Sequence, residues 1–84
     1  MIYIKEVVPG DQTVVIKVDG VLDSESIPIL KSVCDRHLTG GKKILLHLEG
    51  LLHISREGKD FLREIPEKIA IINLPQYTKL ETHQ

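Results

Sequence analysis

Residues 46–62, LHLEGLLHISREGKDFL, are the most informative part of this chain. The first residues of the stretch alternate in polarity, which predicts a half-buried β-strand. A short loop follows, and Ser55 then precedes a segment with helical spacing, as an N-cap serine does. Gly58 falls inside the first turn of this helix, where glycine costs about 1 kcal/mol relative to alanine. We therefore expect the helix to begin in close contact with another part of the molecule.

Two further strands are predicted ahead of this stretch. Residues 2–8 are β-branched and mostly apolar, and residues 13–19 alternate so that Val14, Ile16 and Val18 share one face. Turn residues at 9–12 separate the two segments, which indicates a hairpin. Gly20 is expected to end the second strand.

A first helix is predicted after residue 26. Pro28 is tolerated only in the first turn of a helix, so Ser26, or alternatively Ser24, is the expected N-cap. Gly40 and Gly41 are expected to stop the helix. Its apolar positions recur at helical spacing and are Ile27, Leu30, Val33, Cys34, His37 and Leu38.

The order of the elements predicts one small α/β domain over residues 1–84. Residues 43–49 and 68–74 are the remaining strands, and Pro66 ends the second helix. A strand–helix–strand unit of this length implies a parallel pair of strands joined by a right-handed crossover. The prediction is therefore a mixed sheet of about four strands with both helices packed on one face. The opposite face lacks an obvious cover and carries Val15, Lys17, Leu45 and His47. Residues 75–84 are a short polar tail, expected to form one helical turn or to fray, with Tyr77 and Leu80 as its anchors.

Composition limits the classes of function. The 84 residues carry a formal net charge of −1, which argues against a nucleic-acid-binding protein. No apolar run is long enough to span a membrane, and Lys5 and Glu6 interrupt any signal-peptide pattern. Cys34 is the single cysteine and is expected to be a buried structural residue. A cytoplasmic location is the expectation.

Two short motifs resemble the STAS domain, the fold of bacterial anti-sigma factor antagonists. Gly20-Val21-Leu22-Asp23 resembles the Gly-x-Leu-Asp turn of that family, and Ser55-Arg56-Glu57-Gly58 resembles its Asp-Ser-x-Gly junction when aligned on the glycine. The resemblance covers about residues 13–74. In the family, the Ser or Thr of the junction is the regulatory phosphorylation site. Here Ser55 occupies the aspartate position, and Arg56 occupies the position of the phosphoacceptor.

The resemblance implies that this junction is where the protein meets a regulatory partner, of which an anti-sigma factor with serine-kinase character is the natural class. The implied partner-binding residues are Asp23, His53, Ser55, Arg56, Glu57, Gly58, Lys59, Asp60 and Arg63. Three interpretations of the junction remain open: a helix cap beside a solvated Arg56, a phosphate-independent docking edge, and phosphorylation of Ser55 one position from the family register. A helix N-terminus favours an anion, but Arg56 adds positive charge there.

No metal site, cofactor or catalytic residue is expected. The four histidines lack the spacing of zinc ligands, and the sequence contains neither a P-loop nor a nucleophile elbow. Nothing in the sequence argues for a bound nucleotide or lipid.

Two functions follow as hypotheses. The first is a non-enzymatic protein-interaction module that resembles an anti-sigma factor antagonist without the usual phosphoacceptor. The second is a structural or accessory STAS subunit of a larger assembly, transporter-associated or a homodimer formed through the uncovered sheet face.

Overall fold

A mixed five-stranded sheet with two helices on one face makes up the structure, a computed structural model that describes residues 1–75 and Tyr77. The elements in chain order are β1 (Ile2–Val7), β2 (Thr13–Leu22), α1 (Ile27–Thr39), β3 (Lys43–His47), β4 (Leu51–Ile54), α2 (Arg56–Arg63) and β5 (Ile69–Asn73). Apart from Tyr77, the predicted tail beyond Pro75 lies outside the described residues.

The long strand β2 organises the sheet. It pairs antiparallel with β1, as the hairpin prediction requires, and parallel with two strands in succession. Its first half pairs with β3, from Thr13 opposite Lys43 to Lys17 opposite His47. Its second half pairs with β4, ending with Leu22 opposite Ile54. Strands β3 and β4 therefore lie end to end beside β2. Strand β5 lies parallel to β3, on the side of β3 away from β2.

Two predictions about this region are wrong. Gly20 does not end β2, because the strand continues to Leu22 with Gly20 at a φ of +97° and an irregular register on its C-terminal side. The predicted loop before Ser55 contains β4, so the sheet has five strands where about four were predicted. Both errors have one cause. The extension of β2 beyond Gly20 supplies the hydrogen-bonding partner that makes residues 51–54 a strand, and a pattern within one segment does not reveal that partner.

The core lies between the sheet and the helices. Strands β2 and β3 bury Val14, Ile16, Val18, Ile44 and Leu46, α1 adds Leu30 and Cys34, and α2 adds Leu62. Both helices therefore pack on the same face, as predicted. On the opposite face, Val15, Leu45 and His47 are half-buried and Lys17 is exposed. We call this surface of the sheet the open face.

The cysteine belongs to this core. Cys34 is 2% exposed and forms no disulfide. Burial, with a smaller contribution from Asp35, raises the pKa of its thiol to about 11. The buried structural role expected from the sequence is confirmed.

One side chain ties β1 to the end of α1. Glu6 Oε1 accepts a hydrogen bond from Arg36 Nη2 at 2.7 Å and lies 2.5 Å from His37 Nε2. The hydrogen bond with His37 is the main cause that lowers the pKa of Glu6, and Arg36 adds to it. This contact anchors β1, which among the described strands pairs with β2 alone and lies at the edge of the sheet.

Candidate partner-binding rim

The carboxyl ends of β2 and β4 bring the two motifs together. Leu22 and Ile54 are opposite each other at the ends of these parallel strands, and the Ser55 backbone N–H donates to the Leu22 carbonyl at 2.9 Å. Asp23 follows Leu22 directly, so Asp23 and the start of α2 lie at the same edge of the sheet. We call the exposed residues of the β2–α1 turn and of the first turn of α2 the rim.

Gly58 explains how closely these segments approach. A Cβ built on Gly58 would lie 2.6 Å from the Leu22 carbonyl oxygen and 3.0 Å from Ile54 Cγ2. The first of these neighbours is backbone and cannot move without moving β2. Gly58 is buried, so it positions the rim and does not itself face a partner.

Asp23 shapes the turn that forms one side of the rim. Its Oδ1 accepts hydrogen bonds from the backbone N–H groups of Ser26 at 3.0 Å and Glu25 at 3.1 Å. The bond from Ser26 is the main cause that lowers the pKa of the Asp23 carboxyl. The carboxylate is partly exposed and keeps a second oxygen for other contacts.

Ser26 stabilises this turn through hydrogen bonds of its side chain, a role that the sequence pattern did not predict. It is the N-cap residue of α1, as predicted, but its side chain makes no cap hydrogen bond. Its hydroxyl instead donates to the Val21 carbonyl at 3.0 Å and accepts from the Asp23 backbone N–H at 2.8 Å. At 4% exposure it is a buried polar side chain. Its partners are Val21 at the end of β2 and Asp23 just after it, whereas the sequence pattern predicted that this strand ends at Gly20.

Ser55 and Arg56 form the other side of the rim. Ser55 is the N-cap of α2, and its Oγ accepts from the Gly58 backbone N–H at 3.1 Å. Arg56 and Glu57 are exposed, and Arg56 has no ion pair within residues 1–75 and Tyr77. An exposed guanidinium with five free donors is suited to a carboxylate on another molecule.

The remaining predicted residues extend the rim along β4 and α2. His53 is exposed at the position of β4 opposite Val21. Lys59 is half-buried, while Asp60 and Arg63 are exposed and form an ion pair with each other at 3.0 Å. Leu52, next to His53, is 79% exposed, and sequence reasoning missed it because the apolar run of residues 51–54 was assigned to a loop.

Within the described ranges no group of three or more His, Cys, Asp or Glu side chains is arranged to hold a metal ion. None of the described helices is both long and apolar enough to cross a membrane.

Comparison with known proteins identifies the fold. A crystal structure of an uncharacterized protein from the DUF3478 family with a SpoIIAA-like fold, from Shewanella loihica PV-4, superposes with a TM-score of 0.59. The match covers 90% of this chain and 70% of the other, at 19% sequence identity. No protein-family model matches the chain, and the curated proteins give no match. The chain therefore has the SpoIIAA-like fold, which is the fold of STAS domains and anti-sigma factor antagonists, as its two motifs predicted.

Proposed function

We propose that this protein is a non-enzymatic interaction module that binds a partner protein through the rim. The observation that carries the proposal is the hydrogen bond from the Ser55 backbone to the Leu22 carbonyl, at 2.9 Å, which joins the two motifs into one surface. That surface presents His53, Arg56 and Glu57 beside the Asp23 turn.

The shape of the rim supports a protein partner over a small molecule. The depression beside Asp23 has a volume of about 140 Å³ and is lined in part by Ser26 and Ile29. Drug-sized and cofactor-sized ligands occupy pockets of roughly 300–1,000 Å³. A shallow surface of mixed charge with an exposed leucine nearby has the character of a protein interface rim.

The resemblance to anti-sigma factor antagonists suggests the partner class, a kinase-like anti-sigma factor. Arg56 occupies the position of the phosphoacceptor, and its positive charge lies at the positive end of the α2 dipole. A partner carboxylate would satisfy that charge, whereas the family's phosphorylation switch would be absent. We therefore propose binding that does not require dephosphorylation of the protein.

Phosphorylation of Ser55 is the alternative within the same proposal. Its hydroxyl oxygen already accepts the Gly58 N–H at 3.1 Å as a helix cap. Incubation with the kinase and labelled ATP, with Ser55→Ala as the control, is expected to give no incorporation specific to Ser55. Incorporation lost in Ser55→Ala would instead assign a phosphorylation switch.

The proposal is tested by calorimetric titration with a kinase-like anti-sigma factor encoded in the same genome. Arg56→Glu is expected to weaken binding about tenfold or more, equal to about 1.4 kcal/mol. Lys31→Glu makes the same charge change on the exposed side of α1 and is expected to leave the affinity unchanged. Equal loss in both variants, or no loss in Arg56→Glu, would contradict the rim as the binding surface.

A second candidate function, an accessory subunit docked through the open face, is favoured by the half-exposed apolar side chains of Val15 and Leu45. In that case Leu45→Asp, in a variant shown to fold, weakens binding while Arg56→Glu does not. The two candidates thus predict opposite results from the same pair of variants.

A further inference from the structure

The open face carries side chains in rows that cross the strands. One row is apolar: Val7 is opposite Val15, Val15 is opposite Leu45, and Leu45 is opposite Ala70. Val7 is 41% exposed, Ala70 is exposed, and the two central residues are half-buried. This row spans four strands, and neither helix packs on it, since both helices contribute their buried residues to the other side.

The adjacent row is basic. Lys5 on β1 is directly opposite Lys17 on β2, and Lys17 is opposite His47 on β3. Like charges directly opposite each other in a sheet are destabilising. Neither lysine has an ion pair within the described residues, and His47 Nδ1 is buried there without a hydrogen-bond partner. Among the described residues, an uncompensated positive pair therefore lies beside the apolar row.

In the described part of the open face, the acidic residues lie beyond this basic row. Asp19 is opposite Tyr3, and Glu49 Oε1 is 4.0 Å from His47 Nε2. On the other side of the apolar row, the exposed Lys43 lies opposite Thr13 on the same face. Along the strands the surface thus changes from Lys43, through the apolar row and the basic row, to the acidic residues. A matching occupant is apolar where it covers Val15 and Leu45 and acidic where it meets Lys5 and Lys17.

We propose that the open face is a second binding surface, independent of the rim, that takes an acidic amphipathic segment of another protein. An amphipathic helix with an apolar stripe flanked by carboxylates has this chemistry. Burial of the apolar row supplies the hydrophobic part of the affinity, and neutralisation of the opposed lysines supplies selectivity.

The charge pattern disfavours the other occupants. A second copy of the protein, related by a two-fold axis parallel to the strands, would place the basic row of one copy over the basic row of the other. An axis across the strands that overlaps the apolar rows would place the row of Lys5, Lys17 and His47 over the row that holds Lys43 in the other copy. Lys5, Lys17 and Lys43 share this face with Asp19 and Glu49, on a chain of net charge −1, and are too little positive charge for a nucleic acid or an anionic membrane.

The test uses ¹⁵N-labelled protein titrated with a synthetic helical peptide that has leucines at i, i+3 and i+7 spacing and glutamates on both flanks. Amide shifts are expected at residues 14–18 and 44–47, and binding is expected to weaken as salt is raised. The same peptide with lysines in place of glutamates is expected not to bind. Lys5→Glu is expected to weaken binding about five- to tenfold, whereas Lys31→Glu on α1 changes it less than about twofold.

Folding is controlled within the same experiment. Lys5→Glu replaces a repulsive cross-strand pair with an attractive one, so its melting temperature is expected to equal or exceed that of the wild type. If Lys5→Glu does not fold, the Lys5→Gln/Lys17→Gln double variant takes its place. Failure of the acidic peptide to bind overturns the proposal. So do equal binding of the lysine peptide, shifts confined to the rim, and binding of anionic vesicles or an oligonucleotide in place of the peptide.

Discussion

At the scale of single residues, close backbone approaches decide which side chains the fold tolerates. Gly58 is the main case, because its missing Cβ would lie 2.6 Å from the Leu22 carbonyl oxygen. The sequence predicted both the Ser55 cap and the need for a glycine, since caps and helix propensities are local properties. It did not reveal which group lies against Gly58, because Leu22 is distant in the chain.

Gly58→Ala is expected to destabilise the protein by about 1–3 kcal/mol, because the clash with backbone outweighs the gain in helix propensity. Urea unfolding monitored by circular dichroism measures the effect. Gly10→Ala is the control, because a Cβ at Gly10 meets nothing within 4 Å. Equal stability of wild type and Gly58→Ala would show that β2 and α2 are not in this contact.

Glu6 gives a prediction that depends on pH. Its folded-state pKa is lowered from the ordinary value of 4.5, so its contribution is present above that pH and is lost as pH falls through the folded value. Glu6→Gln is expected to cost about 0.3–1 kcal/mol at pH 7, since the pair is partly exposed. The difference from wild type should disappear in acid, whereas Glu67→Gln, at an exposed position, should show no difference at either pH. A cost that persists at low pH would argue against the ionised contact.

At the scale of elements, the extension of β2 builds the rim. The sequence located β1, β3, β5 and both helices, because each has its own periodicity or capping residues. Strand β4 has only four residues and exposes Leu52 and His53, so no alternation marks it. Gly20 is the residue of β2 at which the pairing with β4 begins, opposite Leu51, and on its other side it lies opposite Ile2 of β1.

Gly20→Ala is therefore expected to destabilise the fold more than Gly41→Ala does. Both glycines have positive φ, at 97° and 80°, so both substitutions carry the cost of a left-handed conformation, about 1 kcal/mol. Only at Gly20 would the new Cβ also meet backbone, at 2.4 Å from the Met1 carbonyl oxygen, whereas Gly41 meets nothing within 4 Å. We expect Gly20→Ala to lower the free energy of unfolding by about 1–3 kcal/mol more than Gly41→Ala does, as measured by urea unfolding of the two variants. Equal costs would mean that β1 does not cover Gly20.

At the scale of the whole molecule, one core holds both helices against the sheet. The topology was predictable because strand–helix–strand connections are right-handed and short, which leaves few arrangements for a chain of 84 residues. The pairing of the Asp23 and Ser55 ends follows from that topology. What binds there does not, since it depends on the surface of a second molecule.

Cys34 reports on the integrity of this core. It is 2% exposed with a pKa of about 11, so its native-state reaction with a thiol reagent at pH 8 is expected to proceed only through unfolding. The labelling rate should rise with urea in parallel with the unfolded population. Ser32→Cys in a Cys34→Ala background, with its thiol at an exposed position of α1, should label rapidly without urea. Rapid labelling of Cys34 in the wild type would indicate a loosely packed core.

Binding through the rim is tested by chemical-shift mapping of the ¹⁵N-labelled protein with a kinase-like anti-sigma factor from the same genome. Amide shifts are expected to concentrate at residues 23–26 and 53–60, and Arg56→Glu is expected to abolish them at the same concentrations. Shifts confined to residues 14–18 and 44–47, or a pattern unchanged by Arg56→Glu, would contradict binding through the rim.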